Sequence, residues 1–170
     1  MSTDLVKYNA ARQALQEAHS IDEVKDILNK SDKMRAYAKQ AKDKDLEMWA
    51  AEIKLRAERR AGEMLQDMDM AKGGRPELTG HSEVPVNLEN NTPTLSEMEI
   101  SKNESSQWQQ TARIPKEDFE EHIETEKAKG KTPTSTGLRR NIQREERINN
   151  IAEISKENVE IGTDQTYPII

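Results

Sequence analysis

The sequence predicts an all-α fold, and three observations carry that expectation. Apolar residues recur at helical spacing through most of the chain, and Ser/Thr-x-x-Glu helix starts recur along it. Charged residues make up 34% and hydrophobic ones 33%, with one Phe, two Trp and three Tyr. So few large apolar groups suit narrow helix–helix seams better than one thick core.

The elements follow in order. Leu5, Tyr8, Ala11, Leu15 and Ala18 share one face of a first helix. Ser20-Ile-Asp-Glu23 is a capping box that starts a second, on which Val24, Ile27, Ser31, Met34, Ala38 and Ala41 form a short coiled-coil-like seam. Lys42-Asp-Lys-Asp45 marks a turn. A third helix places Leu46, Trp49, Ala50, Ile53, Ala57, Ala61, Met64 and Met68 on one stripe. The expectation for residues 1–70 is therefore a helical hairpin or three-helix unit. Met48 and Leu55 fall on the opposite face of the third helix and are the candidate oligomer contact, which makes a homo-oligomer the expected state.

From 71 to 93 the periodicity disappears and Gly, Pro, Asn and Glu accumulate, as in a flexible linker. It holds Gly74-Arg75-Pro76, a tripeptide like minor-groove hooks, for which a plain turn is the simpler reading. Two capping boxes then stand seven residues apart, Thr94-Leu-Ser-Glu97 and Ser101-Lys-Asn-Glu104. Starts that close leave room for a very short helix, a tight turn at Glu99 and a second helix ending at Ile114-Pro115. Residues 94–129 are thus a helix-turn-helix-like module, completed by a helix from Lys116 to Lys129 anchored on Phe119 and Ile123. Glu99 stands where glycine would bear positive φ more easily.

Residues 130–170 open with the breaker Gly130-Lys-Thr-Pro133 and continue as a basic helix from about Ser135 to Ile154. Leu138, Ile142, Ile148 and Ala152 form its apolar stripe, with Arg140, Arg144 and Arg147 opposite. Tyr167-Pro-Ile-Ile170 looks like the opening of a strand.

The candidate DNA-reading residues lie on the second helix of the module: Lys102, Asn103, Ser106, Gln107, Gln110 and Arg113, with Trp108 and Ala112 turned inward. Asn and Gln pair with adenine edges and Arg with guanine. A solvated polar face is the plainer alternative. Residues 94–113 carry Lys102 and Arg113 against Glu97, Glu99 and Glu104, so phosphate attraction must come from elsewhere. The candidate source is the run from Lys127 to Arg147, whose seven basic residues, including Arg139, Arg140, Arg144 and Arg147, face only Glu145 and Glu146. The whole chain carries −6, which disfavours indiscriminate nucleic-acid binding.

No catalytic constellation is visible. His19, His81 and His122 lack metal-ligand spacing, and neither a phosphate loop nor a nucleophile motif occurs, so no metal or cofactor is expected. Cysteine is absent, no apolar run has membrane-spanning length, and the N-terminus does not read as a secretory signal. The expected location is the cytoplasm, with no membrane partner.

Tyr8-Asn-Ala-Ala-Arg12, Met34 to Ala41, Trp49-Ala-Ala-Glu-Ile-Lys-Leu-Arg-Ala-Glu-Arg-Arg60, Leu95 to Met98, Ile100 to Lys102, Ser105 to Gln109 and Ile114-Pro115 together resemble a known family. Over most of residues 5–155 the chain is similar to the N-terminal region of phage and prophage N6-adenine methyltransferases, relatives of the messenger-RNA adenosine methyltransferase family. Similar segments occur in other phage DNA-binding proteins, including partition-protein-like ones. In those enzymes an Asp-Pro-Pro-Trp signature follows a strand like the one Tyr167 opens. The signature does not follow here, so the resemblance passes on no enzymatic residue and no S-adenosylmethionine site. It implies a non-catalytic DNA-binding protein acting in the host cytoplasm. The alternative is an interaction protein that occupies a host protein, a defence-system component or regulator, through its acidic helical surfaces.

Overall fold

The computed structural model describes residues 3–68 and 93–162. Within them lie six helices and no strand: α1 Thr3–Glu17, α2 Ile21–Ala41, α3 Lys44–Asp67, α4 Lys102–Ala112, α5 Lys116–Ala128 and α6 Ser135–Gly162. The all-α expectation holds. The expected linker up to Thr92, its Gly74-Arg75-Pro76 tripeptide and the tail at 167–170 lie outside the described residues.

Local chemistry sets the boundaries. Ser20 caps α2 by accepting the Glu23 N–H at 3.3 Å, while the Glu23 carboxylate reaches back to the His19 N–H at 2.8 Å. α2 stops where Lys42 takes a left-handed conformation at φ 55. There the Asp43 N–H donates to the Ala38 carbonyl and the Lys42 N–H to that of Lys39, satisfying otherwise orphan carbonyls. Asp43 at once caps α3 through the Leu46 N–H at 3.0 Å. The same paired closure recurs at Gly130, φ 66, after α5. Thr134 then accepts the Gly137 N–H at 3.1 Å and opens α6.

α3 is the spine. One side packs with Leu15, Ala18, Ile21, Val24 and Leu28 of the N-terminal helices and with Met98, Ile100 and Trp108. Its other side presents Leu55 to Ile114, Phe119, Ile123 and Leu138 in a second cluster. The small residues Ala57 and Ala61 are fully buried in the first seam. Gly62 is the tightest point: a Cβ there would stand 2.1 Å from the Trp108 carbonyl oxygen. Only glycine allows α4 to approach so closely.

Three sequence expectations are corrected. Leu55, the expected oligomer contact, is 1% exposed and belongs to the second cluster, because α3 is covered on two sides rather than one. Its companion Met48 is half-buried beside Lys44, Glu47, Glu126 and Lys131. On α6 only Leu138 and Ile142 of the expected apolar stripe join the core, whereas Ile148 is 53% exposed and Ala152 is exposed too. α6 outruns α5, and Ile148, Ile151 and Ile154 stand exposed along it. The module expected at 94–129 also shares the first cluster with α1, α2 and α3, so the packing does not divide where the sequence suggested.

Candidate functional site

Residues 94–112 realise both capping boxes. The Glu97 N–H donates to Thr94 Oγ1 at 3.2 Å, and the Thr94 N–H to the Glu97 carboxylate at 2.8 Å. The Thr94 N–H and the Thr94 hydroxyl, which donates to the same carboxylate at 2.9 Å, hold the Glu97 carboxyl below its usual range. Where the sequence expectation placed a very short helix, residues 95–99 form only a turn, closed at Glu99 with φ 52 by the Ile100 N–H to Leu95 carbonyl bond at 2.8 Å. Ser101 and Glu104 repeat the box at 3.1 and 2.9 Å and start α4, and the Ser101 hydroxyl and N–H likewise lower the Glu104 carboxyl. Lys25 donates its ammonium to the Met98 carbonyl, anchoring the turn to α2.

α4 turns Ser105, Trp108 and Thr111 inward and leaves Lys102, Asn103, Ser106, Gln110 and Arg113 exposed, with Gln107 and Ala112 half-buried. The outward amides are already engaged: Gln107 donates to Asn103 at 3.1 Å and Gln110 to Ser106 at 3.2 Å. Such i,i+4 contacts are worth about 0.2–0.5 kcal/mol, so the amides are held only weakly. Gln107 borders a groove with Asp32, Glu58, Glu99 and Glu104 against Lys25 and Lys54. Burial raises the Glu58 carboxyl, with Ser135, Lys54 and Arg139 opposing it.

The basic candidates separate. Arg139 donates to the Gln107 carbonyl at 3.4 Å and the Thr111 hydroxyl at 3.3 Å, so it fastens α6 to α4 rather than standing free for phosphate. Arg140, Arg144 and Arg147 are exposed, and Arg144 borders a groove with Asp118 and Glu121 of α5.

A buried polar network was missed from sequence. Glu52 is 1% exposed, and its carboxylate accepts from the Tyr8 hydroxyl at 2.6 Å, Arg56 Nε at 3.0 Å and Lys127 Nζ at 2.6 Å. Arg56 also grips Glu120 with both terminal nitrogens at 2.6 and 2.7 Å. Burial alone would raise the Glu52 carboxyl, but the bonds from Lys127 and Tyr8 and the Arg56 charge hold it below its usual range. Burial, then the hydrogen bond to Glu52 and its charge, push the Tyr8 hydroxyl up to about 12. The network fastens α1 and α5 to α3. Glu52 and Arg56 lie in the Trp49–Arg60 run, where the helical spacing drew attention only to the apolar residues.

Among the described residues no group of three or more His, Asp or Glu side chains is placed to hold a metal ion, and no helix is long and apolar enough to cross a membrane. Compared with known protein families, curated proteins and solved structures, the chain shows no match.

Proposed function

We propose that the chain is a non-catalytic DNA-binding module, comparable in role to the N-terminal region of the phage adenine methyltransferases it resembles. One observation carries this reading. α4 follows a tight turn at 95–99, seats Trp108 and Thr111 on the body, and holds Asn103, Ser106, Gln110 and Arg113 out to solvent. Exposed Arg140, Arg144 and Arg147 supply phosphate contacts that the acidic surroundings of α4 do not.

Base reading and phosphate contact fail differently. Losing a bidentate amide–base pair costs about 1–3 kcal/mol on the preferred site and relaxes discrimination there. Losing an arginine–phosphate contact weakens all sequences alike and flattens the salt dependence by roughly one unit of slope. The test compares Gln107→Ala and Gln110→Ala with Arg144→Ala, titrated on preferred and scrambled duplexes at several salt concentrations. Equal losses on both duplexes for all three variants, or no binding by wild type at low salt, refute base reading by α4.

A second reading has its own observation. Ile148 and Ile154, 53% and 58% exposed, lie on the part of α6 that outruns the bundle, where a protein partner would find an apolar edge. Capture of the same host protein with and without nuclease, lost in Ile148→Asp, favours this reading over DNA.

A further inference from the structure

α1, α3 and α5 enclose a cleft of about 420 Å³ that is not among the DNA-reading surfaces above. Five cations line it, Arg12, Arg56, Arg59, Arg60 and Lys116, against two carboxylates, Glu63 and Glu120. Arg56 is committed to Glu52 and Glu120. Arg59 lies over the Phe119 ring at 4.7 Å with its Nε bonded to Glu63 at 3.1 Å, which fixes the guanidinium plane. Its Nη1 is nevertheless buried without a hydrogen-bond partner. Arg60 is similar: Nη2 reaches the Ala18 carbonyl at 3.4 Å and Nη1 stands 3.6 Å from Glu63, but Nε is buried and unmet. Arg12 lies over the Tyr8 ring at 5.8 Å and its charge helps lower the Glu120 carboxyl, while Lys116 is exposed. Lys116 opens α5, whose N-cap, Pro115, makes no side-chain cap bond and whose first turn carries Glu117 and Asp118.

We infer that this cleft binds a phosphate group. Glu63 already gives a carboxylate to Arg59 and Arg60 and still leaves an N–H of each unmet, because a planar acceptor serves one direction. A tetrahedral dianion presents oxygens in several directions and answers these two arginines together with Arg12 and Lys116. The phosphate comes either from a small free polyphosphate or from a nucleic-acid backbone. The inference uses none of the α4 or α6 residues and stands or falls apart from base reading.

The test uses the full chain with two probes: inorganic pyrophosphate by calorimetry, and a short fluorescent duplex by anisotropy at low salt. The variant is Arg12→Ser with Lys116→Ser, both exposed side chains, with an unchanged thermal melt required. Wild type is expected to bind at least one probe, and the double variant to bind it roughly tenfold more weakly or worse. Pyrophosphate binding that is lost in the variant identifies a free phosphate as sufficient. Duplex binding alone, lost in the variant, identifies the backbone. Binding of neither probe by wild type, or full retention by the folded variant, overturns the inference.

Discussion

Replacing Gly62 with alanine inserts one methyl group where α3 and α4 touch backbone to backbone. The added Cβ would stand 2.1 Å from the Trp108 carbonyl oxygen, 2.4 Å from its carbon and 2.9 Å from the Gln109 nitrogen. Ordinary contact needs about 3.5 Å, so the helices must separate by more than roughly 1 Å. None of the three atoms belongs to a side chain that can rotate away. Alanine gains about 1 kcal/mol of helix propensity. Overpacking costs typically 1–3 kcal/mol and more where the backbone itself must shift, and here the Trp108 contact and the Gln66 side-chain bond to the Gln109 carbonyl at 3.0 Å are disturbed together. The net expectation is a loss of about 2–3 kcal/mol, or roughly 6–10 °C in Tm. Urea denaturation and thermal melts measure it. Gly137→Ala is the control, since the only close atom there is the Thr134 hydroxyl at 3.0 Å, and its expected effect is within about 1 kcal/mol. A Gly62→Ala chain as stable as wild type would refute the close α3–α4 approach.

Three further outcomes are expected. Glu52→Ala strands the Tyr8 hydroxyl and strips Lys127 and Arg56 of a buried partner, at about 3–5 kcal/mol; Tyr8→Phe costs about 1 kcal/mol, and denaturant midpoints in that order check the network. Glu99→Gly relieves a left-handed residue whose ion pair with Lys25, at 3.7 Å, is worth little, so a gain of up to about 1 kcal/mol is expected in the melt. Acid should lower the stability of the chain in two stages, read by urea midpoints against pH. Burial lowers His122 below its usual 6.5, so its contribution is present above pH 6.5 and is lost as pH falls through the folded value. Glu52 and Glu120 lie below 4.5, so theirs is lost only as pH falls below that, while the raised Glu58 shifts the balance the other way just above it. A His122→Gln chain should keep the second stage and lose the first.

Capping boxes were legible because each is a conversation between residues three apart, complete before any tertiary contact forms. The left-handed strain at Glu99 could be read for the same reason: two helix starts that close leave one residue to turn the chain. What periodicity cannot tell is whether a stripe is covered, or how many stripes a helix needs. Leu55 looked like an outward residue because one apolar face was assumed, yet α3 sits between two clusters. Ile148 looked inward because its spacing matches Leu138 and Ile142, but α5 ends before it can cover α6. Charge offers still less guidance. Arg139 and Arg140 are neighbours in the sequence, and only packing makes one a tie to α4 and leaves the other in water. Glu52 meets partners 44 and 75 residues away, beyond any local pattern.

The Glu52 carboxylate also bears on how the chain could be cut. Its ligands arrive from near the beginning of the sequence and from far along it, so the site closes only when α1 and α5 are both docked. A fragment carrying the first three helices alone would bury an acid with no lysine to meet it and would lose the Phe119 platform beneath Arg59. A fragment beginning at the capping boxes would lack the glycine surface on which α4 rests. Dissection between them should therefore yield two unstable pieces that recover structure when mixed, as complementing halves of one cooperative unit.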